Sequence, residues 1–352
     1  MPAIVSDEPG PAWDEKCRIR RMRYYMGEVV AHAADNVRLE ADRTDIMSAL
    51  VVARECCQPD DVEQCALFIR AVGSVVRFLG FRNALNERVA WGKSALEVAK
   101  LIGDMPAVAE LCASAIAWPL LQLGQYAEAE HYCLEGLKAA EQCPDPRVGA
   151  RWAGNAARSL SGIARDADDA PKAQHWASQA AMYARRCEDQ LLIRGAQLDF
   201  GYAALLLGNF DEAEHLFAEL LAAEELGDDW ERIGNRSGDV AIALMNRALR
   251  SDSAADRARL CDQARAYLER SQRLAEEIRH AVLQGEIEIS LATLARIQGD
   301  EAEFRRLMAS GRRRFEELGI SRQGRGEQFV IFPVDWRIAR PHVALGHLDE
   351  AE

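Results

Sequence analysis

Proline is scarce in this chain, 11 among 352 residues, and several of the prolines fall where a helix should end. Long stretches are therefore free of the residue that breaks helix interiors. Metal-binding cysteine spacing is missing too. Nine cysteines run from Cys17 to Cys261 without a CxxC pair, and only Cys56 and Cys57 are adjacent. That pattern excludes a zinc cluster and a disulfide framework, and leaves reduced thiols acting as small apolar side chains. Excess positive charge is absent as well. A formal net charge of −13 repels phosphate backbones and acidic membranes, which sets aside a general nucleic-acid or membrane-surface binder. No apolar run approaches the ~18–20 residues of a membrane span. The opening MPAIVSDEPGP lacks the basic start and apolar stretch of a signal peptide. A cytoplasmic protein is expected.

Catalytic signatures are equally lacking: no hydrolase elbow, no HExxH helix and no paired-carboxylate site occurs. The one Walker-like string, Trp91-Gly92-Lys93-Ser94, has Glu87 where a phosphate loop needs its first glycine, and no strand precedes it. His131, His175 and His215 hold the same place in three successive units. Matching helices of successive repeats lie further apart than the ~8–10 Å between neighbouring helices, whereas metal–nitrogen bonds are about 2 Å. One ion cannot span two rungs, so these histidines read as a solvated outer face. Neither an enzyme, a metal nor a cofactor is expected.

With 49% hydrophobic and 28% charged residues, the chain has ample material for a folded core, and it is too long for a single compact one. Its organisation is repetitive. Leu123-Gly-Gln-Tyr-Ala-Glu-Ala-Glu-His131, Leu207-Gly-Asn-Phe-Asp-Glu-Ala-Glu-His215 and Leu345-Gly-His-Leu-Asp-Glu-Ala351 nearly copy one another. The first two are two units apart, and Asp168-Asp-Ala-Pro-Lys-Ala-Gln-His175 fills the slot between them as a degenerate copy. Gln298-Gly-Asp-Glu-Ala-Glu-Phe304 is a fourth, weaker copy, with a unit before it made of Asp239–Leu249 and Ala255–Ile278. In every copy but the degenerate one, glycine ends a first helix in a left-handed turn. An aromatic or leucine then plugs the gap, and an alanine (Ala129, Ala173, Ala213, Ala351) sits where two helices meet. Cys65–Gly80 and Ala84–Ile102 read as another pair, with Asp14–Asn36 and Leu39–Cys57 as two helices ahead of it. Gln328–Val334 is β-branched and aromatic but contains Pro333, so it reads as an extended connector.

These units resemble tetratricopeptide repeats, although they are longer than the usual period of about 34 residues. The longer form resembles the C-terminal repeat region of STAND-type bacterial signal-transduction ATPases (NB-ARC/AAA-like). Tyr24-Tyr25 with Leu39–Leu50 is similar to the arm that joins the ATPase and winged-helix modules of that family to its repeats. Phe78–Arg82 through Ala95-Leu96 and Gly103-Asp104 looks like the family's first repeat. The resemblance implies a sensor that receives a ligand or partner and releases an ATPase, a module not found in this sequence. It also leaves open a free-standing adaptor or a peptide-pheromone receptor scaffold.

The expected fold is all-α: a right-handed α-solenoid of about six hairpins with an N-terminal two-helix arm. The boundaries are a flexible tail at 1–13, an arm at 14–60, repeats at 61–345 and an incomplete further helix at 346–352. The last makes the sequence read as a piece of a longer protein. In this architecture first helices line a groove, and Ser114, Trp118, Leu121, Arg158, Leu198, Tyr202 and Leu205 fall off the packing stripe there. Large apolar groups facing a groove signal binding, so a protein or peptide segment is the expected partner; the other reading is a groove filled by the chain's own arm or closed by a tight superhelix. Two arginine clusters, Arg18–Arg23 and Arg305–Arg314, either meet an acidic partner or pair with nearby glutamates such as Glu316 and Glu317.

Overall fold

A computed structural model describes residues 11–82, 84–227 and 229–317, and every regular element among them is a helix. In chain order these are α1 (Pro11–Ala31), α2 (Asn36–Ala41), α3 (Arg43–Glu55), α4 (Val62–Phe81), α5 (Leu85–Ile102) and α6 (Met105–Glu110). A π-helical stretch, Leu111–Ala117, runs straight on into α7 (Trp118–Gln122). Then come α8 (Tyr126–Ala140), α9 (Pro146–Asp166), α10 (Ala170–Cys187), α11 (Gln190–Leu207), α12 (Phe210–Glu224) and α13 (Trp230–Arg250). The series closes with α14 (Ala254–Glu277), α15 (Ala281–Ile297) and α16 (Glu301–Glu317). The connector at 328–334, the third repeat copy, the incomplete last helix and residues 1–10 of the expected tail lie outside the described residues. Residues 11–13, also expected in the tail, belong to α1.

The same short turn joins many of these helices. Gly103, Gly124, Gly208 and Gly299 have φ near +70 to +80°, the left-handed conformation that closes a helix without a Cβ penalty. After three of them an Asp or Asn donates its N–H back across the turn, to Ala99, Ala204 and Ala295 respectively. At Gly103-Asp104 and Gly299-Asp300 the aspartate carboxylate also caps the next helix, accepting from Ala107 N–H and Glu303 N–H. The degenerate copy follows the same path with Asp168 in place of glycine, at φ 59°, and Asp169 as the cap. Asp35, Asp61, Asp189 and Asp229 cap further helices, so part of the acidic excess is helix-start chemistry.

Among the described residues the chain divides into two compact units. One holds the residues up to Leu120 together with Ala127–Ala156; the other holds Leu121–Tyr126 and the residues from Ala157 onward. In the first, α1 packs on α3 and α4, and α4 on α5, around Met22, Met26, Leu50, Phe68 and Leu79. The expected two-helix arm has three helices, because the backbone leaves helical geometry at Asp42 between α2 and α3. A Cβ on Gly92 would lie 2.9 Å from Ile116, and one on Gly136 3.1 Å from Cys112, so both glycines admit a neighbouring helix. The Walker-like string thus lies inside α5, with Lys93 Nζ 2.6 Å from Glu128.

Met105–Gln122 departs from the sequence expectation. Its mean hydropathy of 1.2 over 18 residues is enough, by length and composition, for a membrane span. Some 67% of it is buried inside the protein, as a core helix would be. The π-helical stretch has a local cause in Pro119. Proline has no N–H to give and its ring clashes with the carbonyl four residues back, so a regular α-turn cannot pass through it without adjustment.

In the second unit the helices meet on small residues. Ala157, Ala180 and Ala196 form one contact cluster among α9, α10 and α11, and Ala164, Ala173 and Ala203 form another. Ser161 Oγ, also buried, donates to the Ala173 carbonyl at 2.9 Å. From α11 to α16 a larger core takes over, centred on Phe217, Leu244, Met245 and Leu268, with Gly201 leaving room for the Phe217 ring. Ala213 is fully buried there, as expected for an alanine at a helix contact. Ala213→Leu is therefore expected to cost about 1–3 kcal/mol by overpacking. Its loss of hydrogen-exchange protection should concentrate in α11–α13. A urea midpoint within error of the parent would mean that this contact has slack.

Candidate functional site

Three first helices of the second unit, α9, α11 and α13, carry a connected row of charged side chains. Arg158 Nε donates to Asp199 Oδ2 at 2.8 Å, from α9 to α11. Gly195, one turn before Asp199, makes this possible: a Cβ there would collide with the Arg158 guanidinium. Tyr202 Oη donates to Asp239 Oδ1 at 2.5 Å, from α11 to α13, and Arg236 Nη1 takes the other oxygen, Oδ2, also at 2.5 Å. The Tyr202 ring meets Phe217 edge-on at 5.3 Å and has the Arg165 guanidinium 4.8 Å above it. Arg165 in turn bonds Asp166, which accepts from the Tyr126 hydroxyl.

The row has a polarity. Side-chain exposure is 31% for Arg158, 27% for Arg165 and 16% for Arg236, against 10%, 11% and 8% for Asp199, Asp166 and Asp239. The carboxylates are sunk and the guanidiniums form the rim. Burial pushes the three carboxyl pKa values up from the ordinary 3.8, in spite of the arginines that pull them down. Burial also raises the Tyr202 phenol, next to the Asp239 charge. Such a network is satisfied internally, and its cationic rim offers donors to an anionic or carbonyl-rich partner.

The expected site residues divide. Arg158, Leu198 and Tyr202 lie on this face, half-buried, with Leu198 and Tyr202 packed on the core. Tyr202 does not project freely; its ring and hydroxyl are both engaged by the protein itself. Leu205 is 3% exposed and Leu121 9%, so neither lines a groove. First helices inside a stack are contacted on several sides, and apolar residues beside the packing stripe are core there. In the first unit, Ser114 and Trp118 are four residues apart on the π-to-α7 stretch. Trp118 is 40% exposed, with the Arg88 guanidinium 5.1 Å from its ring centre.

Asp199, Asp239, Arg165, Arg236 and Arg88 are participants that sequence inspection passed over. Arg158, Asp199 and Asp239 are 41 and 40 residues apart, close to one repeat, and that spacing was the available signal. Five of the nine arginines in the two clusters pair with carboxylates nearby. Arg18 pairs with Glu15 and Glu55, Arg21 with Asp45, Arg305 with Glu301, Arg306 with Glu303, and Arg314 with Glu288. His131 and His215 are well exposed, each beside a glutamate one turn on.

No described protein family matches the chain, and no curated protein matches it in sequence. Solved structures do. A Rap protein complexed with competence and sporulation factor superposes with a TM-score of 0.62 at 13% identity, over 96% of this chain and 94% of that one. Aspartyl phosphate phosphatase F from Bacillus subtilis gives 0.54 at 11%, over 96% and 85%. The apo form of RapI gives 0.52 at 13%, over 89% and 90%. These likenesses show the fold, an all-α helical-repeat solenoid of the tetratricopeptide-like kind.

Two measurements test the charged row. Arg158→Ala strands the Asp199 carboxylate and is expected to cost on the order of 3 kcal/mol at neutral pH. Arg158→Met with Asp199→Leu is expected to return most of that loss, as read from urea midpoints. The second measurement is pH dependence. A carboxyl with a raised folded pKa holds its proton more tightly folded than unfolded. Its contribution is complete below the unfolded value near 3.8 and is lost as pH rises through the raised folded value. Parent stability relative to Asp199→Asn should therefore grow as pH falls from neutral toward 4.5; a flat or opposite trend contradicts the burial argument.

Proposed function

We propose that this tetratricopeptide-like solenoid recognises a protein or peptide segment and performs no chemistry of its own. The observation that carries the reading is the guanidinium rim on α9, α11 and α13, set beside half-buried Leu198 and Tyr202. Arginine and aromatic side chains at a partly open, rigid surface are the residue types that dominate binding energy in protein interfaces. The sunken carboxylates hold the arginines in fixed rotamers, which lowers the entropic cost of engaging a partner.

Two settings are consistent with such a receptor, both in a bacterial cytoplasm. The arm and first-repeat resemblance supports the sensor region of a STAND-like regulatory ATPase, with the ATPase in the same chain or in a separate protein. The alternative is a free-standing adaptor or peptide-pheromone receptor. It is supported by the likeness, over nearly the whole chain, to a Rap protein bound to competence and sporulation factor.

The test starts from a partner captured by crosslinking in the native host and made as a purified segment. Arg158→Met/Asp199→Leu removes Arg158 from the rim without stranding a buried charge, and is expected to weaken binding about 30-fold, or roughly 2 kcal/mol. Trp118→Ala is expected to do the same from the first unit, and His215→Ala to change nothing. Parent-like affinity in both the double variant and Trp118→Ala would refute the assignment of these surfaces.

A further inference from the structure

Arg88 is a half-buried cation without a counter-charge among the described residues. Arg158, Arg165, Arg194, Arg236, Arg247 and Arg314, all partly buried, each have a carboxylate partner. Arg88 has one hydrogen bond, from Nη2 to the Ser114 carbonyl at 2.7 Å, while its Nε is sealed and unbonded. Burial alone lowers its pKa, to about 10. In a protein of formal charge −13, leaving such a group without an anion is the costly arrangement.

Its surroundings are built to keep it there. In a π turn the Ser114 carbonyl faces residue 119, and Pro119 has no N–H to supply; Arg88 supplies one instead. Gly80 leaves the space that Nη1 occupies, since a Cβ there would lie 2.5 Å from it. Trp118 supports the guanidinium from below and leaves 40% of its own surface open. Satisfying one orphan carbonyl needs a donor and not a charge, so a neutral glutamine would serve that purpose.

We propose that Arg88 and Trp118 form an anchor for a carboxylate on a bound peptide segment, either an acidic side chain or a C-terminus. One guanidinium matches one carboxylate in charge, and a dianionic phosphate would call for more cations. The indole offers apolar contact to the carbon stem next to that carboxylate. The inference refines the partner chemistry of the proposed function and rests on that reading. Its test uses small probes at Arg88 and Trp118, so its failure would leave the face on α9, α11 and α13 untouched.

The chain has seven tryptophans, so the experiment uses the full chain labelled with 5-fluorotryptophan and fluorine NMR, with Trp118 assigned through Trp118→Phe. Four probes are titrated: acetyl-(Glu)4-amide, acetyl-(Gln)4 with a free C-terminus, acetyl-(Gln)4-amide, and inorganic phosphate. A saturable shift of the Trp118 signal is expected with one or both of the first two, and which of them acts identifies the source of the carboxylate. Arg88→Gln, which retains a donor for Ser114, is expected to weaken that response at least tenfold and to melt no lower than the parent. Arg88→Lys should retain part of the response. The proposal is overturned if the uncharged peptide acts as well as the charged ones, if phosphate alone acts, if no probe acts, or if a folded Arg88→Gln chain responds like the parent. The comparison of probes on the parent decides the matter even where a variant does not fold.

Discussion

Close approach of helix backbones is the constraint on which the rest of this structure depends. Alanine and glycine occupy the contact points: Ala157, Ala180 and Ala196 in one cluster, Ala164, Ala173 and Ala203 in another, and Gly92, Gly136 and Gly201 opposite bulkier neighbours. Each small residue removes the volume that would hold two helices apart. The ion row follows from this. Arg158 reaches Asp199, and Tyr202 reaches Asp239, only because successive first helices in the second unit lie within one side-chain length. Gly195 shows the dependence at a single position, since the guanidinium rests where its Cβ would be.

Charge in this protein is therefore better understood by position than by sum. Many aspartates cap helix starts, and exposed glutamates pair with arginines one turn or one helix away. Where carboxylates are buried they serve as fixed bases for arginines that face out. An acidic chain can thus carry a locally cationic rim, because the acids that offset it lie beneath the arginines.

The turns were the most legible part of the sequence. Gly124, Gly208 and Gly299 take the left-handed φ that their place in the repeat demands, and the degenerate slot at Asp168–His175 starts a helix at Ala170. Helix identity in the pairs was legible for the same reason, and so were the fully buried alanines Ala129, Ala173 and Ala213. Exposure on the first helices was not. Leu121 and Leu205 fall off a two-sided packing stripe, yet a helix between two others has hardly any free side. The charged row was missed because the bonds that join its helices span 37 to 41 residues, a separation at which no local pattern shows them together. Met105–Gln122 was misread as too short an apolar run because Glu110 interrupts it near its start.

The π-helical stretch at Leu111–Ala117 bears on ancestry. A π turn holds one residue more than an α turn, so the stretch records what amounts to an inserted residue that Pro119 helps to maintain. Without it, Trp118 would rotate by about 100° around the helix axis. The indole would swing away from Arg88, and the Ser114 carbonyl would return to ordinary helical bonding. Relatives of this chain should therefore sort by length between Gly103 and Gly124. Those with the extra residue inherit the Trp118 surface, and those without it have a different face at that point, whatever aromatic residue they align there.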